Sequence, residues 1–322
     1  MPLEPVKEKW VGKINEVTIG ATREEGGSRT SVVTVGGETG LSFLHDESEM
    51  PHRPALAMEV WDVAPSDWPE ELTKPFKEVL DDPARWSRKC VDEYGAELIC
   101  LRLQSAHSDF GNISPDKVSE GVKKVLEAVG VPLIVLGTGQ DDRDNEVLPR
   151  CSEVAKGEKC LFGDATQDNY KTLVAACLAD GHGIIGQSPI DINIAKQVNI
   201  LVSDMGFPLE RIVMDPTTGG LGYGLEYTYS IMERARLAAL GAGDKTLALP
   251  IICRIGQEAW RAKEAKASEE DFPSWGSVSE RGPMWEVTTA VPLLLAGADI
   301  LIMRHPRAVE SVKETIEELM KK

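Results

Sequence analysis

A glycine-rich segment is the strongest local indication of a binding site in this sequence. It reads Asp215-Pro-Thr-Thr-Gly-Gly-Leu-Gly-Tyr-Gly224 and lies between a predicted strand and a predicted helix. Glycines at such a position let the backbone approach a ligand closely, and free N–H groups at the start of a helix can hold an oxygen atom. The segment lacks the Gly-Lys-Ser/Thr of a phosphate-binding loop. We interpret it as a ligand-facing loop, with a tight structural turn as the alternative.

A second loop of this kind follows another predicted strand at residues 138–144. Gly139 would permit the close approach of a ligand, whereas we expect the acidic run that follows it to form a solvated rim. The residues after the other predicted strands are rich in hydroxyl, amide and carboxyl groups. This composition suits the binding of a polar ligand better than self-sufficient catalysis.

Motifs of metal or nucleophilic chemistry are not found in the sequence. The five histidines form no H-E-x-x-H, the six cysteines include no C-x-x-C pair, and G-x-S-x-G is absent. We therefore predict no catalytic residue, no metal ligand and no iron–sulfur cluster in this chain. Three aspartates at strand ends, Asp62, Asp164 and Asp215, could recognise a pterin, although helix capping is the favoured role.

Eight short apolar runs, separated by longer amphipathic stretches, must position these loops. They comprise residues 55–61, 97–103, 132–137, 160–163, 183–187, 211–215, 249–254 and 299–304. Near-continuous hydrophobic runs are typical of parallel strands that are covered on both faces. The pattern favours an α/β fold, a (β/α)8 TIM barrel, with an open doubly wound sheet as the alternative. In such a barrel all loops that follow the strands meet at one end.

The chain is predicted to divide into an N-terminal extension, residues 1–54, and the barrel, residues 55–322. Within the extension, residues 16–20 and 31–36 flank the Gly26-Gly27 turn and predict a small hairpin, laid outside or beneath the barrel. The connection at residues 263–283, after the seventh strand, is unusually long. It is either a lid or partner surface, or a solvated loop.

Charge and hydropathy argue against several classes of partner. The 322 residues include 35 Lys and Arg against 52 Asp and Glu, a formal net charge of −17, so we expect no nucleic-acid partner. No apolar run approaches the roughly 20 residues of a membrane span, and the N-terminus lacks the apolar core of a signal peptide. We expect a cytoplasmic protein that does not bind membranes.

Two long segments resemble the small subunit of the corrinoid/iron–sulfur protein of the reductive acetyl-CoA pathway. The archaeal relative of that subunit is the delta subunit of acetyl-CoA decarbonylase/synthase. The segments are LIVLGTGQDDRDNEVLP (residues 133–149) and MDPTTGGLGYGLEYTYSIMER (residues 214–234). Met58-Glu-Val-Trp-Asp62 and residues 280–292 fit the same family, so the resemblance covers nearly the whole chain.

The resemblance implies a barrel related to dihydropteroate synthase and to the folate-dependent corrinoid methyltransferases. It also implies a heterodimer with a large subunit that carries a four-iron–four-sulfur cluster and a corrinoid, the corrinoid lying against the carboxyl end of this barrel. The cobalt of the corrinoid would accept a methyl group from methyltetrahydrofolate that is bound to a methyltransferase, and it would deliver this group to acetyl-CoA synthase. Because the sequence contains no Asp-x-His-x-x-Gly, we expect no axial histidine from this chain.

The resemblance also suggests which residues contact the corrinoid. These are Thr138, Gly139, Asp164, Gln187, Ser188, Thr217, Thr218, Gly219, Arg254, Arg304 and His305. The first hypothesis is a non-catalytic subunit that shields the corrinoid of its partner. The second is a pterin-binding methyltransferase barrel that itself methylates a corrinoid protein. The third is a hydrolase or lyase barrel unrelated to corrinoids.

Overall fold

The computed structural model describes residues 7–321. These residues contain ten β-strands and eleven α-helices, joined by loops and short 3-10 turns. The strands are β1 (Val17–Ile19), β2 (Val33–Val35), β3 (Ala55–Trp61), β4 (Leu98–Arg102), β5 (Leu133–Leu136), β6 (Leu161–Ala165), β7 (Gly183–Gln187), β8 (Ile212–Asp215), β9 (Ile252–Cys253) and β10 (Ile300–Met303). The helices are α1 (Glu70–Thr73), α2 (Pro83–Asp92), α3 (Pro115–Ala128), α4 (Asp141–Val154), α5 (Tyr170–Asp180), α6 (Ile192–Asp204), α7 (Leu225–Ala242), α8 (Ile255–Ala259), α9 (Lys263–Lys266), α10 (Val278–Leu295) and α11 (Pro306–Leu319).

Strands β3 to β10 form one parallel barrel. Their order in the sheet is β8-β7-β6-β5-β4-β3-β10-β9. A parallel bridge between Met214 and Ile251 joins the two ends of this order, and the Met214 N–H donates to the Pro250 carbonyl at 2.8 Å. The sheet is therefore closed, which confirms the predicted (β/α)8 barrel and rules out the open sheet.

The barrel helices bury one apolar stripe each against the outside of the strands. In α3 the buried residues include Val118, Val122 and Val125, and in α11 they include Val309 and Val312. Both helices start with a proline. An N–H at the first position of a helix has no intrahelical partner, so the absence of this group in proline costs no hydrogen bond there. The recurrence of apolar residues every three or four positions thus fixes the face that each helix turns to the barrel.

The N-terminal hairpin closes the bottom of the barrel. Strands β1 and β2 pair antiparallel, with Val17 opposite Val35. Val17, Ile19 and Val35 are buried in the same apolar cluster as the inward side chains of the barrel strands. The Gly20 N–H also donates to the Lys159 carbonyl at 2.9 Å, just before β6. Of the two predicted positions, the hairpin takes the one beneath the barrel, while the domain boundary between residues 54 and 55 remains a prediction.

The long connection at residues 263–283 is folded rather than extended. It contains α9, a 3-10 turn at Pro273–Trp275 and the first residues of α10. The Arg281 guanidinium donates to the carbonyls of Glu264, Ala267 and Gly276, which ties both ends of the segment together. A role as lid or partner surface remains a prediction.

Across residues 7–321, none of the helices combines the length and the apolar character that a membrane span requires.

Candidate functional site

A layer of polar side chains lies inside the barrel at the carboxyl ends of the strands. Side chains in a strand alternate between two faces, so the residue two positions after an inward apolar residue also points inward. In six strands the residue two positions after a buried apolar core residue is polar. The pairs are Ala57 and Glu59, Cys100 and Arg102, Ile185 and Gln187, Val213 and Asp215, Ile252 and Arg254, and Ile302 and Arg304. We call this layer the mouth, together with Asp164 near the end of β6 and the loops that follow the barrel strands.

Arg254 connects two carboxylates of the mouth. Its Nε donates to Asp215 Oδ2 at 2.8 Å, and its Nη2 donates to Asp164 Oδ1. Burial raises the pKa of Asp215, and the adjacent guanidinium opposes this shift. The backbone N–H of Arg254 donates to Thr218 Oγ1 at 2.7 Å. Asp164, Asp215 and Thr218 are thus held by Arg254, which connects β6 and β8 to the segment that follows β9.

Arg304 forms a second buried ion pair. Its Nε and Nη2 donate to the two carboxylate oxygens of Glu59 at 2.8 and 3.0 Å, and its guanidinium lies 4.5 Å from the ring centre of Trp68. Burial alone would raise the pKa of Glu59, but the two-point contact with Arg304 outweighs burial and lowers this pKa to about 2. The charge of the predicted residue Arg304 is therefore paired inside the chain.

His305 caps a helix and is not a free side chain. Its Nδ1 accepts the N–H of Arg307 at 3.2 Å at the start of α11, and its ring stacks on Trp260. Burial lowers the pKa of His305 to about 4, so the imidazole is neutral near pH 7. Its backbone N–H donates to Glu286, whose pKa burial raises to about 7.

The glycine-rich loop after β8 is held by hydrogen bonds of its own. Thr217 has a φ of +65°, which is unusual for a β-branched residue and signals local strain. Its Oγ1 accepts from Gln187 Nε2 at 3.0 Å and donates to the Ser188 carbonyl. A Cβ on Gly219 would lie 2.3 Å from the Gly224 carbonyl oxygen. Gly219 is therefore required by packing within the loop, whatever it contacts outside.

The loop after β5 is organised by a residue that we expected to be solvated. Asp144 is buried and accepts the N–H groups of Thr138 at 2.7 Å and Gly139 at 3.0 Å. Its Oδ1 also accepts from Thr138 Oγ1 at 2.8 Å. The predicted solvated rim is wrong at Asp144, because this carboxylate satisfies the free N–H groups of the turn. Gly139 has a φ of +88° and no atom near its missing Cβ.

The contacts above link several of the predicted residues to one another or to the mouth. These are Asp164, Gln187, Thr217, Thr218, Arg254 and Arg304, together with Ser188, which is completely buried and accepts from Thr217 through its carbonyl. Asp62 accepts from the N–H and the hydroxyl of Ser105 at the start of a short turn, a capping role, and burial raises its pKa to about 6. Whether any of the predicted residues contacts a ligand remains a prediction.

Four polar residues of the site were not predicted from the sequence. Glu59 and Arg102 lie within strands, where alternation from the apolar positions before them could have indicated an inward direction. Gln257 and Glu286 come from helices α8 and α10, and no local signal marks them.

No three His, Cys, Asp or Glu side chains of residues 7–321 are grouped so that they could share a metal ion. The six cysteines are all buried, unpaired thiols.

A sequence profile described as CO dehydrogenase/acetyl-CoA synthase delta subunit matches residues 16–316. The chain belongs to this family. The delta subunit of the acetyl-CoA decarbonylase/synthase complex from Archaeoglobus fulgidus is 40% identical over 98% of this chain and 70% of its own length. The corresponding subunit from Methanopyrus kandleri is 38% identical over 95% of this chain and 75% of its own length. The predicted membership of the delta-subunit family is confirmed.

Solved structures similar to this delta-family chain are dihydropteroate synthases. The enzyme from Thermus thermophilus aligns with a TM-score of 0.54 and 17% identity, over 86% of this chain and 98% of the enzyme. The enzyme from Xanthomonas albilineans in complex with 7,8-dihydropteroate aligns with a TM-score of 0.57 and 12% identity, over 85% and 97%. At such low identity the likeness shows the fold alone, and it confirms the predicted barrel fold of the dihydropteroate synthase type.

Proposed function

We propose that this chain is the small, non-catalytic subunit of a corrinoid methyl carrier in the acetyl-CoA pathway. A large subunit carries the corrinoid and an iron–sulfur cluster, and the mouth of this barrel covers the corrinoid from one side. The pair meets a methyltetrahydrofolate:corrinoid methyltransferase and acetyl-CoA synthase in the cytoplasm. The observation that supports this function best is the charge balance of the mouth in a member of the delta-subunit family.

Two of the three arginines of the mouth are paired with carboxylates inside the chain. Glu59 is bound by Arg304, and Asp164 and Asp215 are bound by Arg254. Together with Arg102, the layer contains three carboxylates and three arginines, so it carries no net charge. A surface without net charge that offers hydroxyl and amide groups suits a large, uncharged macrocycle that is fringed with amides better than it suits a strongly ionic substrate.

The donor and acceptor groups of the mouth fit such a periphery. Gln187 donates through Nε2 to Thr217, which leaves its Oε1 as an acceptor for an amide N–H. The corrinoid would supply the cobalt that carries the methyl group, and this chain supplies no metal ligand to it. The side chains of the mouth hold the periphery in place, and the barrel wall excludes water from the covered side.

Exposed aromatic residues at the rim of the mouth suit contact with partner proteins. Tyr223 and Tyr227, in and just after the glycine-rich loop, are 58% and 64% exposed. Next to them a cavity of about 310 Å³ is lined by Ile190, Tyr227 and Ser230, among others. Large, exposed aromatic side chains are enriched where proteins bind one another.

The pterin-binding methyltransferase remains the second candidate, and the barrel fold alone favours it. A pterin would need carboxylates with free acceptor oxygens, and the Arg254 guanidinium contacts both Asp164 and Asp215. Both oxygens of the buried Asp215 already accept hydrogen bonds, from Arg254 and from the Thr217 N–H, so a pterin at this carboxylate would have to displace one of these donors. We therefore favour the shielding subunit.

Anaerobic co-expression with the large subunit tests this proposal. We expect visible corrinoid bands and about one cobalt per pair, since one mouth covers one macrocycle. The chain expressed alone, our control, should contain no cobalt and should not bind methyltetrahydrofolate. Tight methyltetrahydrofolate binding by the isolated chain would establish the second candidate instead. A pair without corrinoid, combined with a chain that does not bind methyltetrahydrofolate, would overturn both.

A further inference from the structure

Arg102 is the one arginine of the mouth layer whose charge has no carboxylate partner among residues 7–321. It is the last residue of β4 and points into the barrel two positions after Cys100. Its Nη1 donates to the neutral side-chain oxygen of Gln257. Its Nε is completely buried and has no hydrogen-bond partner in the described part of the chain.

The other two arginines of the layer differ sharply from Arg102. Arg254 donates to two aspartates, and Arg304 donates twice to Glu59 and lies against the ring of Trp68. Buried polar groups in proteins are nearly always satisfied, and an exception in a binding site commonly marks a missing ligand or water molecule. A guanidinium that is fixed, partly buried and short of acceptors can donate a hydrogen bond to an acceptor on a bound ligand.

Gln257 holds Arg102 in this position. The Gln257 Nε2 donates to Glu258 Oε1 at 2.9 Å, which fixes the orientation of the amide so that its oxygen faces Arg102. The guanidinium is thus anchored through one N–H of Nη1, and its remaining Nη N–H groups are left for an additional acceptor.

The charged groups around Arg102 argue for an uncharged acceptor. Glu59, Asp164, Arg254 and Arg304 are its charged neighbours, and together their charges sum to zero. Burial and the two arginines lower the pKa of Arg102, while the two acids raise it. Asp215, on the far side of Arg254, balances the charge of Arg102 itself, so the whole layer is neutral. An anion would leave it with a net negative charge in a poorly solvated place, whereas a carbonyl oxygen accepts from Arg102 and leaves the charge balance unchanged.

We propose that Arg102 donates to an uncharged carbonyl oxygen, of the primary-amide type, on the ligand that enters the mouth. This inference rests on the proposed function, in which that ligand is a corrinoid and the acceptor is one of its peripheral amides. Arg102 is then a binding residue that the sequence did not indicate, and it helps to fix the rotation of the macrocycle over the barrel.

The test uses the complex of this chain with the large subunit, and the probe is aquocobalamin. The corrinoid dissociation constant is measured by spectroscopic titration of cobalt-free complex. We expect Arg102→Gln to weaken binding about tenfold, the loss expected for a hydrogen bond from a charged donor. Arg150→Gln, at an exposed arginine on α4, is the matched control and should bind with wild-type affinity.

A second variant and a salt comparison complete the design. If Arg102→Gln does not assemble with the large subunit, Arg102→Lys keeps the charge but loses the forked geometry, and we expect it to bind several times more weakly than wild type. Sodium sulfate, compared with sodium chloride at equal ionic strength, should not compete with aquocobalamin. Competition that disappears in the Arg102 variant would show an anion site and overturn the proposal.

The possible failures can be told apart. Wild-type affinity in the assembled Arg102 variants would overturn this inference and leave the proposed function intact. A wild-type complex that binds no aquocobalamin would overturn the proposed function itself.

Discussion

At the scale of single residues, the mouth is built from buried charges that depend on one another. Glu59 and Arg304 come from β3 and from the end of β10, which lie side by side in the barrel. Each would be costly to bury alone, because removing a charge from water without a partner costs several kcal/mol. The two-point contact and the Trp68 ring make the burial possible.

Replacement of Arg304 by methionine should therefore strongly destabilise the fold. Arg304→Met leaves the carboxylate of Glu59 buried without its partner, and we expect a loss of about 3–5 kcal/mol in the free energy of unfolding. Urea denaturation near pH 7 measures this loss. Arg307→Met, which breaks an exposed pair with Glu280, is the control and should change little. Equal effects of both substitutions would contradict the account.

At the scale of elements, the extension and the barrel are joined by a buried acidic contact. Glu38, between β2 and β3, is buried next to Asp299, which accepts the N–H of Ile251 at 2.6 Å and pairs with Arg236. Burial, followed by the charge of Asp299, raises the pKa of Glu38 to about 8. At the bottom of the barrel Glu38 is therefore protonated in the folded state over much of the neutral range.

This raised pKa predicts how stability depends on pH. The folded chain holds the proton of Glu38 up to about pH 8, while the unfolded chain releases it near the ordinary value of 4.5, so the contribution of Glu38 decreases as the pH rises between these values. Glu38→Gln cannot titrate, and wild type should lose stability relative to this variant from about pH 5 to about pH 8. Urea denaturation at both ends of the range measures the difference.

The matched control for this measurement is an exposed glutamate. Glu314→Gln on α11 should leave the pH dependence of the wild-type chain unchanged. If wild type and Glu38→Gln showed parallel pH profiles, Glu38 would titrate equally in the folded and unfolded chains, and the buried contact with Asp299 would be wrong.

The elements also show what the sequence could predict. Each apolar run became a barrel strand, because a strand covered on both faces must be apolar throughout. The last two runs differ in outcome: residues 299–304 contain four strand residues, whereas 249–254 contain only Ile252–Cys253. Strand ends depend on hydrogen bonds to neighbours that are far away in sequence, and one chain alone does not reveal these.

The site was predictable only where it coincided with the ends of strands. Arg254 and Arg304 follow β9 and β10 directly and were expected at the mouth. Their partners could not be assigned, since Glu59 and Arg304 are 245 residues apart. His305 was expected to contact a ligand, and in the structure its ring caps α11. A polar residue after a strand thus indicates the mouth, but not whether it serves the fold or a ligand.

At the scale of the whole molecule, the two ends of the barrel differ. The hairpin closes the lower end with Val17, Ile19 and Val35, which pack in one cluster with the inward apolar side chains of the barrel strands. The upper end combines a neutral polar layer with exposed aromatic residues at its rim. This polarity is what the proposed shielding of a partner's corrinoid requires.

The position of cobalt in the complex tests this account most directly. Crystals of the chain with the large subunit, measured at the cobalt absorption edge, would give one anomalous peak per pair. The account predicts that this peak lies over the carboxyl ends of β3 to β10, closer to Arg254 than to Ile19. A peak beside the hairpin, or one remote from this chain altogether, would contradict the claim that the mouth covers the corrinoid.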